Sequence, residues 1–453
     1  MDHMKCVRSI LQVARLAAPL ALGTATQAVN ELVDRAFLGS FSESSLAAVV
    51  PGGMLALVFC DFLAGTIGHS GAVIARRLGA GGRSDAVSAL AQGVWLTAFA
   101  LPLVLLAAPL GERLLALADH GPDLLRLESS YYRYALAAGA VNVLTIVLSG
   151  YLQAQKRMTI VCAALSVGSG VNILLDWLLV PTLGISGAGF GLLAAGVLSC
   201  LILLARVLRD EDVRAAGRST WEWNASLAGI IVRQGLPFGA SAIVGAGTFA
   251  FYTLCLGKFS AGLLAAANAV FAIHGLLYFV VCAIESAVLV LVGRACGGAD
   301  ADAMRRHFRA GTLLVILCVV AFYLLLIPFS DRILALFAPA DSADFRRFAG
   351  IFLLSMAARD VFEALQRVTT GALRAIGRTN SILIAHVIYS LGVWLPLFTL
   401  TTRFQWPLAT WQTMTFACAI HAALLLWSWR RWFGHYLPRS FSSSGSRASR
   451  QTR

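Results

Sequence analysis

Seven carboxylates lie inside or at the edge of long apolar runs: Glu31, Asp34, Asp61, Asp176, Glu285, Asp360 and Glu363. A charge at hydrocarbon depth costs ~3 kcal/mol or more, so these residues are the first candidates for a task. The stretch "VNILLDWLLV" sets Asn172 and Asp176 four residues apart, which stacks them on one helical face. A carboxylate beside an amide is a suitable oxygen set for Na⁺, and a buried carboxylate is equally suited to hold a proton. An interhelical hydrogen-bonding pair with only a packing role is the plainer alternative. In "NELVDRAFLG", Glu31 precedes Asp34 by three residues and Arg35 follows Glu31 by four, so Glu31 and Arg35 could close a local ion pair. "ARDVFEALQRV" spaces Asp360, Glu363 and Gln366 by three, a stripe that could line a cavity unless Arg367 neutralises it. Glu285, isolated in "VCAIESAVLV", suits a proton site or an interhelical bond, and Asp61 is evenly balanced between site and surface. His69, His274 and His386 read as lone packed histidines.

The elements that must carry these residues are membrane helices. Of 453 residues, 58% are hydrophobic and 13% charged, against roughly 25% charged in soluble domains. Backbone in hydrocarbon must satisfy itself, and runs this continuous are not the alternating strands of a barrel. Twelve spans are expected: 15–38, 47–73, 88–108, 131–152, 159–181, 186–206, 235–257, 263–292, 311–329, 349–373, 381–401 and 411–433. The N-terminal residues show no separate cleavage site, so the first span reads as a retained helix. Arginines and lysines cluster after spans 2, 4, 6, 8 and 10 and in the C-terminal tail, which sets both termini in the cytoplasm. That asymmetry explains the net charge of +13 without a nucleic-acid partner. Nine scattered cysteines with no CxxC pair read as membrane hydrophobes. No Walker motif, GxSxG or metal-spaced histidine set is present, so the reading is a non-enzyme without a cofactor, driven by an ion gradient or by another chain.

An internal repeat organises the spans. "LGSFSESSLAAVV" (38–50) matches "LGKFSAGLLAAAN" (256–268) at a shift of 218, which also lays Arg15 on Arg233, Pro19 on Pro237 and Gly79 on Gly297. At a shift of 221, "GYLQAQKRM" (150–158) falls on "GALRAIGRT" (371–379). Six spans separate the copies, so both enter the membrane in the same sense. Such a parallel repeat places a substrate site between halves that rock in alternating access. The expected divisions are an N-lobe over 1–208, a cytoplasmic linker over 209–234 with a short amphipathic helix around 223–233, a C-lobe over 235–435, and a disordered basic tail over 436–453. At the shift of 218 Asp34 meets Tyr252, so the repeat itself requires no acid there.

Pro19, "VDRAFLG" (33–39), "RRLGAGGRSDA" (76–86), "GYLQAQ" (150–155), "NILLD" (172–176) with "GISGAG" (184–189), "GLPFGA" (235–240) and "FEALQRVTTGALRAIGRT" (362–379) together resemble the multidrug and toxic compound extrusion (MATE) family. The likeness runs in order over nearly the whole chain. It implies an all-α polytopic membrane protein with twelve helices in two six-helix bundles around a central cleft. It further implies a monomer of the bacterial cytoplasmic membrane that exports amphiphilic organic cations against H⁺ or Na⁺. Asp34, Asn172 and Asp176 match the family's N-lobe cation-site positions, and they would be the metal ligands if Na⁺ couples. Glu363 falls where the second lobe often carries an acid. Glu31, Glu285, Asp360, Gln366 and Tyr252 are further candidates for substrate or second-lobe coupling, with Phe249, Tyr278 and Trp394 as possible cation–π partners. Two departures favour N-lobe coupling with H⁺ ahead of Na⁺. The acid often found in span 7 is replaced near Gly245, and the expected threonine appears as Ala194 or a neighbour. A lipid-linked oligosaccharide flippase of the same superfamily is the alternative, although it would want a cationic cavity.

Overall fold

The computed structural model describes residues 2–117, 121–256, 259–335, 337 and 343–448, and no strand occurs among them. The long helices are α1 (Asp2–Phe41), α2 (Glu43–Ile67), α3 (Ser70–Gly79), α4 (Arg83–Ala116), α5 (Pro122–Ala154), α6 (Met158–Leu183) and α7 (Ile185–Leu208). After the short α8 (Glu211–Ala215) come α9 (Ala225–Leu256), α10 (Ala261–Gly297) and α11 (Ala301–Leu326). The chain ends with α12 (Ser330–Ala335), α13 (Ala343–Ala375), α14 (Thr379–Val387), a π-helical segment (Ile388–Trp394), α15 (Leu395–Arg403) and α16 (Pro407–Ala448). Among the described residues, ten helical stretches are long and apolar enough to cross a membrane by length and composition. The other two expected spans lie in α1 and α13, which are as long but carry the charged residues discussed below. Expected span 2 breaks at Gly68 and His69 between α2 and α3, and span 11 is split over α14, the π segment and α15.

Two compact units are present, Leu16–Ile243 (the first unit) and Met1–Arg15 with Val244–Arg453 (the second unit). The first unit runs past the boundary near 208 expected from hydropathy, because the linker is tied to helices of that unit. Ser88 donates to the carbonyl of Thr220 at 3.3 Å, Gln92 to that of Glu222 at 2.9 Å and the Trp95 indole to that of Trp221 at 2.9 Å. Asp210 accepts from Tyr151 (2.8 Å), Gln155 (3.2 Å) and Arg157 (2.7 Å). Burial works against its charge, but those hydrogen bonds and the guanidinium outweigh burial and hold its carboxyl below the usual carboxylate range. The amphipathic helix expected around 223–233 is not separate; those residues from Ala225 onward are the first turns of α9.

Glycines bring α9 against α2. Gly235 and Gly239 stand one turn apart, the small-xxx-small spacing that lets membrane helices approach closely. A Cβ at Gly235 would lie 1.9 Å from the Thr66 carbonyl oxygen, and one at Gly65 would lie 2.8 Å from the Gly239 Cα. Gly235→Val is therefore expected to destabilise the protein by about 2–3 kcal/mol through overpacking against backbone. A melting curve in detergent checks this; an unchanged midpoint would show that the helices separate freely.

The repeat is visible in the backbone. Ser42 and Ser260 cap α2 and α10, accepting from the amides of Ser45 and Leu263, each three residues on. Gly81 (φ +85°) and Ala299 (φ +54°) make the same left-handed turn, with amides bonded to Leu78 and Cys296. At the shift of 221, Lys156 (φ +67°) and Gly377 (φ +76°) match, and the next amides bond back to Leu152 and Leu373. Finally, α16 continues as helix to Ala448, through most of the tail expected to be disordered from 436; residues 449–453 lie outside those described. Once a helix is nucleated, each further residue adds a bond at little cost, which a composition rule for disorder does not register.

Candidate functional site

In the first unit, α1 delivers Asp34 and α6 delivers Asn172 and Asp176 to one buried point. Asp34 is 8% exposed and the other two are fully buried. The Asn172 amide nitrogen donates to Asp34 Oδ1 at 3.0 Å and to Asp176 Oδ2 at 2.7 Å. Two buried carboxyl groups held by one amide group repel each other when both are charged, which favours a proton on one of them. Room for Asp176 comes from Gly191 on α7, where a Cβ would lie 2.8 Å from Oδ1. The sequence reading overlooked Gly191, although the glycine-rich run from 184 to 191 is the signal that could have pointed to it. Asp176 Oδ1 and Asn172 Oδ1 are buried acceptors without a partner among the described residues. The side chain of Glu31 lies outside the described residues, and Arg35 is exposed.

The second unit gathers a different set. Arg359 on α13 approaches Glu363 at 2.7 Å and Asp360 at 3.0 Å. His274 on α10 stands 3.0 Å from Asp360 and 3.6 Å from Glu363, and Tyr323 on α11 donates to Asp360 at 2.7 Å. Glu285 on α10 pairs with Arg374 at 3.1 Å and Arg367 at 3.6 Å. Arg367 also donates to the Tyr278 hydroxyl and lies 4.7 Å over its ring. Asp360 and Glu363 thus share Arg359, while Glu285 holds Arg374 and Arg367. His274 is not the lone packed histidine expected from sequence, and Glu285 is not isolated. The cation–π partner of Tyr278 is Arg367. His274, Asp360 and Glu363 bring ligating atoms within 4.8 Å of one another, yet the Arg359 guanidinium already occupies the carboxylate oxygens at that point, so the set does not fit a metal ion. His274, Tyr278, Asp360 and Glu363 line a narrow crevice, far from the 300–1,000 Å³ of ligand pockets. The side-chain oxygen of Gln366 is buried without a partner among the described residues. Tyr252 and Trp394 are packed in an aromatic cluster with Phe271, Phe398 and Trp411, centroids 5.0–6.2 Å from Tyr252.

The family model MatE matches residues 19–178 and 237–398, more than half of the chain. The chain belongs to the MatE family, that of multidrug and toxic compound extrusion. Similar to this MatE chain are the probable multidrug resistance protein NorM of Pseudomonas aeruginosa, 26% identical over 96% of this chain and 92% of that protein, and the multidrug resistance protein PmpM of the same organism, 27% identical over 87% and 85%. Among solved structures, a mutant of the Vibrio cholerae MATE transporter VcmN superposes with a TM-score of 0.88 at 17% identity, over 96% of this chain and all of that one. The MatE fold, a multi-pass membrane bundle of twelve helices, is therefore the fold of this chain.

Proposed function

We propose that this protein is a proton-coupled antiporter that exports amphiphilic, chiefly cationic, drugs or metabolites by alternating access. The observation that carries the coupling part is the carboxyl pair of Asp34 and Asp176 bridged by one amide group. A proton bound there takes the pair from two negative charges to one, and its release leaves two like charges side by side that the buried surroundings resist; that difference can bias α1 between two arrangements. Supporting H⁺ over Na⁺ is the arginine already paired with the second-unit acids, which leaves the first-unit carboxyl pair to bind the ion. Export of drugs is inferred from relatives described as multidrug resistance proteins. On this reading the protein is a monomer in the bacterial cytoplasmic membrane with both termini inside, and it performs no catalysis.

The test is transport by the purified protein in liposomes, using an ethidium-like dye and an imposed gradient. A pH gradient is expected to drive dye movement, and a Na⁺ gradient of equal size at matched pH is not. Dye movement under Na⁺ alone would overturn proton coupling, and none under either gradient would overturn the antiport reading.

A further inference from the structure

Between α14 and α16 the second unit holds polar atoms for which the carboxylate site has no use. His386 and His421 sit with ring centroids 5.0 Å apart at 80°, and Tyr389 stacks on His421 at 4.7 Å. His421 is 1% exposed, and neither of its ring nitrogens has a hydrogen-bond partner among the described residues. Nε2 of His386 and Oγ of Ser390 are likewise buried and unpartnered. Ser390 follows His386 by one turn and shares its face. A neutral imidazole carries one donor and one acceptor, and each buried polar atom left unpaired is destabilising. Four such atoms on two facing elements mark a place for something small and polar.

The space is narrow, since a Cβ at Gly245 on α9 would lie 3.1 Å from His386 Nε2. Among the described residues no third metal-ligating side chain joins the two rings. The charged or titratable groups that face them are Arg367 and Glu363 on α13, with Tyr389 on the π segment and Cys418 on α16 beside them. Two residues after His386 the chain turns π-helical, Ile388–Trp394, a departure from α geometry that recurs at functional places.

We propose that His386 and His421 form a second proton-binding site of this protein, where the two rings share one proton with the Ser390 hydroxyl as hydrogen-bonding partner. The proton comes from water and returns to it, and no bond other than N–H is made or broken. Two rings so close bind protons anticooperatively, because the first charge opposes a second.

The test is ¹⁵N-histidine NMR on the full-length protein in lipid nanodiscs, with His386→Gln and His421→Gln assigning the two signals. One imidazole equivalent is expected to become imidazolium between about pH 4 and pH 9. Removing either ring is expected to move the midpoint of the other by about one pH unit or more. Rings that stay neutral over that range, or titrate independently, overturn the proposal. The signals of the remaining histidines report whether each variant is folded, and Ser390→Ala, which spares both rings, is expected to move the same midpoint. A transport arm rests on the antiport reading: the variants are expected to move about one proton fewer per dye molecule, and an unchanged ratio overturns the site. Absence of all dye transport in the unaltered protein sinks the antiport reading instead and leaves the NMR result to decide.

Discussion

Replacing Asp34 by asparagine is expected to cut proton-driven efflux about a hundredfold, the upper end of the 1–3 kcal/mol typical of coupling between sites. The variant keeps the size and polarity of the side chain, so it preserves a hydrogen bond to the buried Asn172–Asp176 face. What it removes is the second carboxyl of the pair. Asp176→Asn is expected to do the same, because either change leaves one carboxylate that can no longer share a proton with a neighbour. Proton release accompanying dye uptake is the decisive readout, measured with a pH-sensitive dye in the same vesicles. Gradient-free exchange of substrate should persist in both variants, since binding and α1 movement do not themselves need the proton. Full proton-coupled efflux by Asp34→Asn would sink the assignment.

Glu285→Gln is the change with the largest expected effect on stability. Glu285 is buried and holds both Arg374, at 3.1 Å, and Arg367, at 3.6 Å. Removing its charge leaves two guanidinium groups facing each other in an apolar bundle. Breaking a buried pair on one side costs about 3–5 kcal/mol. The lower end is expected, because Arg374 and Arg367 keep 18% and 27% exposure. Thermal melting of the purified protein checks this, and adding Arg374→Gln to the first change should recover part of the loss. A single variant as stable as the unaltered protein would show that these charges are solvated rather than paired.

Much of the architecture was legible because hydrocarbon allows few alternatives. Runs with few charges must be helices, and loop arginines order them. The gathering of Asn172 with Asp176 could be read from their spacing, and Asp34 joined them through the family likeness. The second-unit cluster was not legible in the same way. Spacing on one helix ties Asp360 to Glu363 but is silent on His274, 86 positions away on α10, or on Tyr323, 37 positions away on α11. Charge complementarity therefore appeared only as the local Arg367 guess, while Arg359 turned out to be the nearer partner of Glu363. His421 was passed over because one histidine in an apolar run looks like any other until a second ring faces it. The unit boundary was missed for a related reason: linker carbonyls, bonded to Ser88, Gln92 and Trp95, leave no trace in hydropathy.

The paired turns at Gly81 and Ala299, and at Lys156 and Gly377, keep the same amide-to-carbonyl bonds in both copies, so the duplication reaches from sequence into backbone geometry. By the same registers Asp34 meets Tyr252, Asn172 meets Val393, Asp176 meets Leu397, His274 meets Ala56, Glu285 meets Ile67 and Asp360 meets Gly139. None of these polar groups has a charged counterpart in the other copy. The two halves thus share a scaffold and differ in the chemistry they mount on it.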